Sequence, residues 1–541
     1  MACFKVPMTS SWGSKAAFRT RPSRELRRKI KGSIRSLASS YLRFDESPKA
    51  PCDAGSPVPQ LMLSQLTLFA LLQLAGVSES GGAGSADQSA ATPVDEAELL
   101  GLVRHQTVGD GTRPVLTTLK MMGNGGFLVL LQNSPTAFAE VFFIQVPPAL
   151  SEEQPSPLLV GFHKFGSSPL DVPTNTSLEQ ECFDRNWFLL CPLGASQKSF
   201  SSIPSQLNTE LVIELIVERY KPFIDTKRIY GVGFSMGGGN AVNYAARHLD
   251  PSRPMFAAII NHTGPASLRN GYEEKPADQP IMETWFGGTP DQNPFEYARS
   301  SVLEILDHTP PSMGGGPGPG PGGGFTPPAI LEIVAKDSLL GNLSHVPIYL
   351  VRAKLDPMTF INDQLDAQGR YMSLYGYPHI YKKIGGTTQH VWSTLNEKLT
   401  LNWLSQFSLE LPISARTMAD RDDTYFYFDI EQSQTGAFTR FDWRIDSVTN
   451  TLLLDKTQNL ERLSFDLDST GFSADGPLRI RMTIADGTED TVRVFGYDVE
   501  PLEVLRDGHA VDTWSFDEQT KALLIHEYDH ERPHDWIISP N

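Results

Sequence analysis

The stretch Arg228 to Asp250, RIYGVGFSMGGGNAVNYAARHLD, decides how the rest of the chain is read. Apolar Ile229, Tyr230 and Val232 lead into Gly233-Phe234-Ser235-Met236-Gly237, and Ala241, Tyr244 and Ala245 then recur at helical spacing. A strand thus passes through a forced turn straight into a helix. Gly233 and Gly237 flank Ser235 where a larger side chain would hold strand and helix apart. This is the G-x-S-x-G nucleophile-elbow pattern. Its turn strains the backbone so that the serine hydroxyl stands clear of the sheet edge, and the positive N-terminus of the helix directs unpaired N–H groups at whatever the serine attacks.

Working outward, Leu158 to Phe162, Trp187 to Cys191, Phe256 to Asn261 and Ile348 to Arg352 join Ile229 to Phe234 as continuous apolar runs. Such runs suit strands buried on both faces. Thr209 to Tyr220, capped by Asn208, and Asn240 to His248 carry helical patterns between them. The alternation predicts a mostly parallel sheet with helices on both faces and ligand sites beyond the C-terminal strand ends. Upstream, Leu116 to Met122 and Phe127 to Gln132 bracket Gly123-Asn124-Gly125-Gly126 as a hairpin, with Ala139 to Val146 as a third edge strand. Between Gly264 and Val346 the pattern loosens, and MGGGPGPGPGGG from Met313 to Gly324 reads as a surface insertion. Ile380 to Ile384 is one more strand and Leu395 to Leu404 the closing helix.

A serine hydroxyl is not nucleophilic at neutral pH. Ser235 requires an imidazole to take its proton and a carboxylate to fix that imidazole's tautomer. Asp356 follows the strand Ile348 to Arg352 and precedes Pro357, which places it at a strand's C-terminal end. Asp363 and Asp366 have a period that fits the solvated face of a helix. His390 lies in the loop GGTTQH beyond Ile384, after the acid and before the last helix, whereas His163, His262 and His308 precede the acid and His379 enters its strand at the wrong end. The oxyanion would rest on the Met236 N–H and on a second N–H from the loop His163-Lys164-Phe165-Gly166, with Lys164 and Phe165 as candidates.

The remainder bounds the setting. In a chain of 541 residues, 40% hydrophobic and 20% charged residues are the proportions of a globular protein, and a net charge of −17 disfavours nucleic acid as a partner. Residues 1–60 are Arg-, Ser- and Pro-rich and read as an unstructured basic extension. Residues 61–92 combine the apolar run LMLSQLTLFALLQLAGV with a Gly/Ser linker. The run falls short of a membrane span of about 20 residues and resembles a signal-peptide core. Its position leaves Met1 or Met62 as the start and favours export, secreted or periplasmic, over a cytoplasmic location. Cys3, Cys52, Cys182 and Cys191 form neither a disulfide framework nor a zinc site, and Cys182 and Cys191 suit buried free thiols better than a bridge. Past about Pro412 the texture changes to alternation: Tyr425 and Tyr427 against Phe426 and Phe428, then Phe441, Trp443 and Ile445, then Leu478, Ile480, Met482 and Ile484 before an Asp486-Gly487 turn. This predicts a β-rich domain over 413–541, with its aromatics in a core. His526, Asp529, His530, His534 and Asp535 have metal-ligand types without ligand spacing and read as a polar terminal segment.

The four segments GFHKFG, RIYGVGFSMGGG, LVRAKLDP and GGTTQHVW together resemble the α/β-hydrolase superfamily, in particular polyhydroxybutyrate depolymerase-like and feruloyl-esterase-like carboxylic ester hydrolases. The likeness spans Ala139 to Phe407. It implies an α/β-hydrolase fold, here over 93–412, with Ser235, Asp356 and His390 as nucleophile, acid and base; the smaller sandwich-like β domain read from the alternation follows it. The likeness also implies a cap region around Trp285-Phe286-Gly287-Gly288. Family members usually show His-Gly where this chain has His163-Lys164, and the Gly/Pro tract and β domain have no counterpart. The expected function is hydrolysis of carboxylic esters, polymeric or small, through an acyl-enzyme and with no metal or organic cofactor. A prolyl-oligopeptidase-like serine peptidase and a catalytically silent binding protein on the same scaffold are the alternatives.

Overall fold

Strands dominate the order of elements in the computed structural model, which describes residues 115–132, 136, 138–304, 338–386, 389–529 and 532–541. These all belong to one compact unit, Thr67–Asn541. The basic extension, the apolar run at 61–77, the helix expected at 94–102 and the Gly/Pro tract lie outside the described residues.

The first sheet joins, among the described residues, nine strands: β1 (Val115–Met122), β2 (Gly126–Gln132), β3 (Glu140–Gln145), β4 (Ser156–Phe162), β5 (Phe188–Pro192), β6 (Ile224–Phe234), β7 (Ala258–His262), β8 (Ile348–Ala353) and β9 (His379–Ile384). Their order across the sheet is β1-β2-β3-β5-β4-β6-β7-β8-β9. The sheet is mixed. From β5 through β9 every neighbouring pair is parallel, while β1, β2 and β3 pair antiparallel and extend one edge.

Helices cover both faces. Leu158 and Val160 of β4 face a core shared with α3 (Ile203–Arg219), α4 (Met236–Arg247) and α8 (Thr359–Tyr375). Leu159, with Tyr230 and Val232 of β6, faces the opposite core against α2 (Leu178–Asp184) and α9 (Glu397–Leu404). Burial on both sides is why these strands read as unbroken apolar runs. Four further helices, α1 (Asp171–Asn175), α5 (Leu268–Glu274), α6 (Gln279–Phe286) and α7 (Pro294–Arg299), lie in the connections.

One helix boundary differs from expectation. α3 begins at Ile203, with Ser202 at its N-cap and a proline in its first turn, rather than after Asn208. Pro204 supplies the preset φ that favours a helix start. Asn208 is instead buried mid-helix, and its amide bonds the Phe138 carbonyl and the Glu140 carboxylate. Cys182 and Cys191 are both buried and free.

The C-terminal region is β-rich and forms two sheets. One holds β10 (Ser414–Ala419), β13 (Thr439–Asp446), β14 (Thr451–Gln458), β16 (Leu478–Ile484), β18 (Glu503–Arg506), β19 (His509–Ala510) and β22 (His534–Ser539). The other holds β11 (Asp423–Tyr425), β12 (Phe428–Gln432), β15 (Leu460–Asp466), β17 (Asp490–Phe495), β20 (Trp514–Asp517) and β21 (Ala522–Glu527). Phe441, Trp443 and Ile445 from one sheet and Phe428, Leu463 and Val492 from the other share a single core. The aromatic alternation at 425–428 is not one strand. It turns at Phe426, where φ is 60°, so that Tyr425 and Phe428 pair across a hairpin.

This region is fastened to the helix that follows the serine. Arg247, in the last turn of α4, meets Asp420 at 2.6 Å with both side chains buried. Asn342 bonds both the Ala246 and Met418 carbonyls. Among the described residues no helix is long and apolar enough to cross a membrane.

Candidate functional site

Ser235 sits between β6 and α4 with φ 56° and ψ −129°, a conformation that side-chain-bearing residues adopt only when their surroundings enforce it. The enforcement is visible. A Cβ on Gly233 would fall 2.0 Å from the Gly237 carbonyl oxygen, and one on Gly237 would fall 2.3 Å from that of Phe162. The Ser235 N–H donates to the His262 carbonyl at 2.9 Å, tying the elbow to β7. Met236 opens α4, so its N–H belongs to the first turn, where backbone donors have no partner within the helix.

Strands β6 to β9 are parallel, so residues following them collect at one sheet edge. Asp356 follows β8 and His390 follows β9, and the His390 Nδ1 lies 2.8 Å from Asp356 Oδ2. The other carboxylate oxygen accepts the Met358 N–H at 2.9 Å. Burial works to raise the Asp356 pKa, but the bonds from His390 and Met358 outweigh it and hold it below the ordinary carboxylate value. The His390 ring packs 4.5 Å from that of Phe234, the residue before Ser235, and its Nε2 is buried with no hydrogen-bond partner. Ser235 is therefore brought to the same edge as the Asp356–His390 pair, without a hydrogen bond to Nε2.

His262 is a neighbour that sequence order had set aside. It is fully buried against Phe234 and Trp392, and burial, reinforced by the charge of His390, pushes its pKa down to about 3. It behaves as a neutral aromatic ring that walls the site.

The loop after β4 is braced from two sides. The His163 ring nitrogens each lie 2.9 Å from a carbonyl oxygen, those of Lys164 and Leu193. The backbone N–H groups of Leu193, Gly194 and Ala195 in turn converge on buried Glu140. Of the two donors expected from this loop, the Lys164 N–H is already engaged, donating to Asp171 Oδ2 at 3.2 Å. Phe165 is left as the loop's candidate.

The same Asp171 oxygen accepts Trp392 Nε1 at 2.9 Å, while Oδ1 takes the Asn175 amide at 2.8 Å and the Lys164 ammonium at 3.1 Å. Burial opposes its ionisation, yet the Trp392 and Lys164 bonds keep its pKa below the usual range. Asp171 and Trp392 escaped the sequence reading. The only signals were an acidic residue between apolar Leu170 and Val172, and a tryptophan two positions after His390.

A cleft runs along the elbow, lined by Phe165, Phe200, Met236, Leu268 and Met282, with Lys275 and Asp278 at its rim. Behind it Phe286 and Tyr297 pack on Phe200 and Met236. Trp285 and Phe286, expected in a cap, lie on α6 and belong to the cluster behind the cleft, while Met282 of the same helix reaches the lining. In the C-terminal region His526 pairs with Glu489 at 3.1 Å, and His534 lies between Asp507 and Asp529. His530 lies outside the described residues.

No family model matches the chain. A bifunctional acetylxylan esterase/xylanase of Neocallimastix patriciarum is 34% identical over 84 residues, 15% of this chain and 12% of that protein. The chain thus aligns with only a small part of that curated relative. A ferulic acid esterase structure is similar at a TM-score of 0.36 and 15% identity, over 52% of this chain and 98% of that one. An S-formylglutathione hydrolase from Agrobacterium tumefaciens is similar at 0.36 and 14%, over 53% and 97%. The elbow, the strand order and the order Ser235, Asp356, His390 are features of this chain itself.

Proposed function

We propose that this protein is a carboxylic ester hydrolase on an α/β-hydrolase fold, acting through a Ser235–His390–Asp356 triad. The observation that carries the reading is the bond at 2.8 Å between half-buried His390 and buried Asp356, with His390 packed on Phe234 beside the strained serine and its Nε2 unpartnered. Asp356 fixes the tautomer with the proton on Nδ1, which leaves Nε2 as the base.

Ser235 Oγ attacks the acyl carbonyl as Nε2 takes its proton. The oxyanion rests on the Met236 N–H and the Phe165 N–H, and the imidazolium returns the proton to the departing alcohol. Water then attacks the acyl-enzyme by the same route and frees the acid. The aromatic and thioether lining of the cleft favours an ester with an apolar group next to the scissile bond. The apolar run at 61–77, similar to a signal-peptide core, supports export.

A panel of p-nitrophenyl acyl esters set against peptide anilides tests the reading. Turnover of the esters with little on the anilides is expected. Preference for the anilides would make the protein a peptidase, and turnover of neither would return it to a binding role.

A further inference from the structure

Asp171 joins two loops that come from distant parts of the chain. A carboxylate offers about four lone-pair sites, and all four here are taken: Oδ2 by the Lys164 N–H and Trp392 Nε1, and Oδ1 by the Asn175 amide and the Lys164 ammonium. The side chain is buried, so these bonds are sheltered from water and geometrically demanding. Lys164 immediately precedes Phe165, the candidate oxyanion donor. Trp392 follows His390 by two positions and packs 5.2 Å from Phe234, the ring on which His390 also rests. One oxygen atom therefore fixes the loop after β4 and the loop after β9 to each other, on either side of Ser235.

We propose that Asp171 is a positioning residue that holds the Phe165 N–H and His390 at a fixed spacing across Ser235. The inference rests on Ser235 reacting through His390, and goes beyond it by naming what holds the two halves of the site together. Neither Asp171 nor Trp392 touches the substrate. Their effect comes through orientation, where a displacement of about 1 Å can cost roughly 100-fold in rate. Asparagine at 171 fits the space and can keep its one oxygen under both N–H groups, but it loses the charge and turns an NH₂ donor towards the Lys164 ammonium and the Asn175 amide, so its hold on the Lys164 loop is loosened.

The test uses the full chain, with a p-nitrophenyl acyl ester as substrate and phenylboronic acid, which forms a tetrahedral adduct on an active serine, as transition-state mimic. Asp171→Asn is expected to lower kcat about 10- to 100-fold with KM within about threefold, and to weaken phenylboronic acid by the same factor as kcat/KM. Trp392→Phe removes one bond and keeps an aromatic ring; it is expected to give a smaller loss of the same kind. Added to Asp171→Asn it should cost little more, because both changes weaken the same link.

A loss matched by the fraction of unfolded protein, a loss in KM alone, or two losses that multiply would overturn the proposal. Wild-type protein that hydrolyses the ester beside variants that are unaffected would overturn the clamp and leave the hydrolase reading intact. Wild-type protein that neither hydrolyses esters nor is modified at Ser235 would overturn both.

Discussion

At the C-terminal edge of the first sheet, Ser235 is held at φ 56° and His390 keeps a buried nitrogen without a partner. In the C-terminal sandwich β13 and β16 alternate cleanly, and the Glu527 carboxylate is closed by Arg506 at 2.6 Å and by the Trp536 indole at 2.9 Å. The sandwich too has a left-handed residue, Phe426, and buried polar atoms without partners, those of Asp490 among them, so neither feature alone marks a site. The sheet edge differs in bringing strain, an Asp356–His390 pair and a cleft together at one place. The sandwich is nonetheless not a passenger. Its Asp420 meets Arg247 at the far end of the helix whose first residue supplies the Met236 N–H.

Substitutions at the sheet edge should change rate with little change in stability, and substitutions in the sandwich should do the reverse. The largest effect expected is from Ser235→Ala, a fall in kcat on the order of 10⁶ with the thermal midpoint nearly unmoved; a loss of only a few fold would place the nucleophile elsewhere. Asp356→Asn keeps the shape but permits the wrong imidazole tautomer, so kcat should drop about 10⁴-fold, measured at saturating ester. Asp420→Ala leaves Arg247 buried and uncompensated, which should cost about 3–5 kcal/mol in denaturant unfolding while kcat per folded molecule holds. A large fall in kcat of the folded fraction would mean that the sandwich tunes the elbow rather than merely securing it.

The smallest effect is a pH dependence within the sandwich. Asp490 is fully buried, and burial, helped by the charges of Asp486 and Glu527 and opposed by the Thr457 hydroxyl, pushes its pKa up to about 7 from 3.8. The folded state therefore holds this proton more tightly than the unfolded chain. The stabilisation is present in full below about pH 4 and is lost as pH rises through about 7. Asp490→Asn should raise the thermal midpoint by a few degrees, about 2–4 °C, at pH 8 and change it little at pH 4. An equal shift at both pH values would remove the carboxylate as the cause.

The two regions were also unequally legible. The elbow and the buried parallel strands could be read because their constraints are local: two glycines beside a serine, and apolar runs of strand length. Asp356 and His390 followed from chain order and strand ends. The alternation of β13 and β16 was equally plain, yet the aromatic run at 425–428 misled, because a left-handed turn at Phe426 leaves that ring buried and gives no glycine to announce it. Asp171 and Trp392 were illegible for another reason. Their bond joins residues more than two hundred positions apart, and neither belongs to a motif. The start of α3 was misplaced because Asn208, a good cap by type, is used instead to hold Glu140.

The most direct measurement is reaction of the folded protein with a fluorophosphonate, followed by peptide mass analysis. The account predicts a single phosphonyl adduct on Ser235, absent in Ser235→Ala and after unfolding. An adduct on another residue, or none on folded protein, would contradict it.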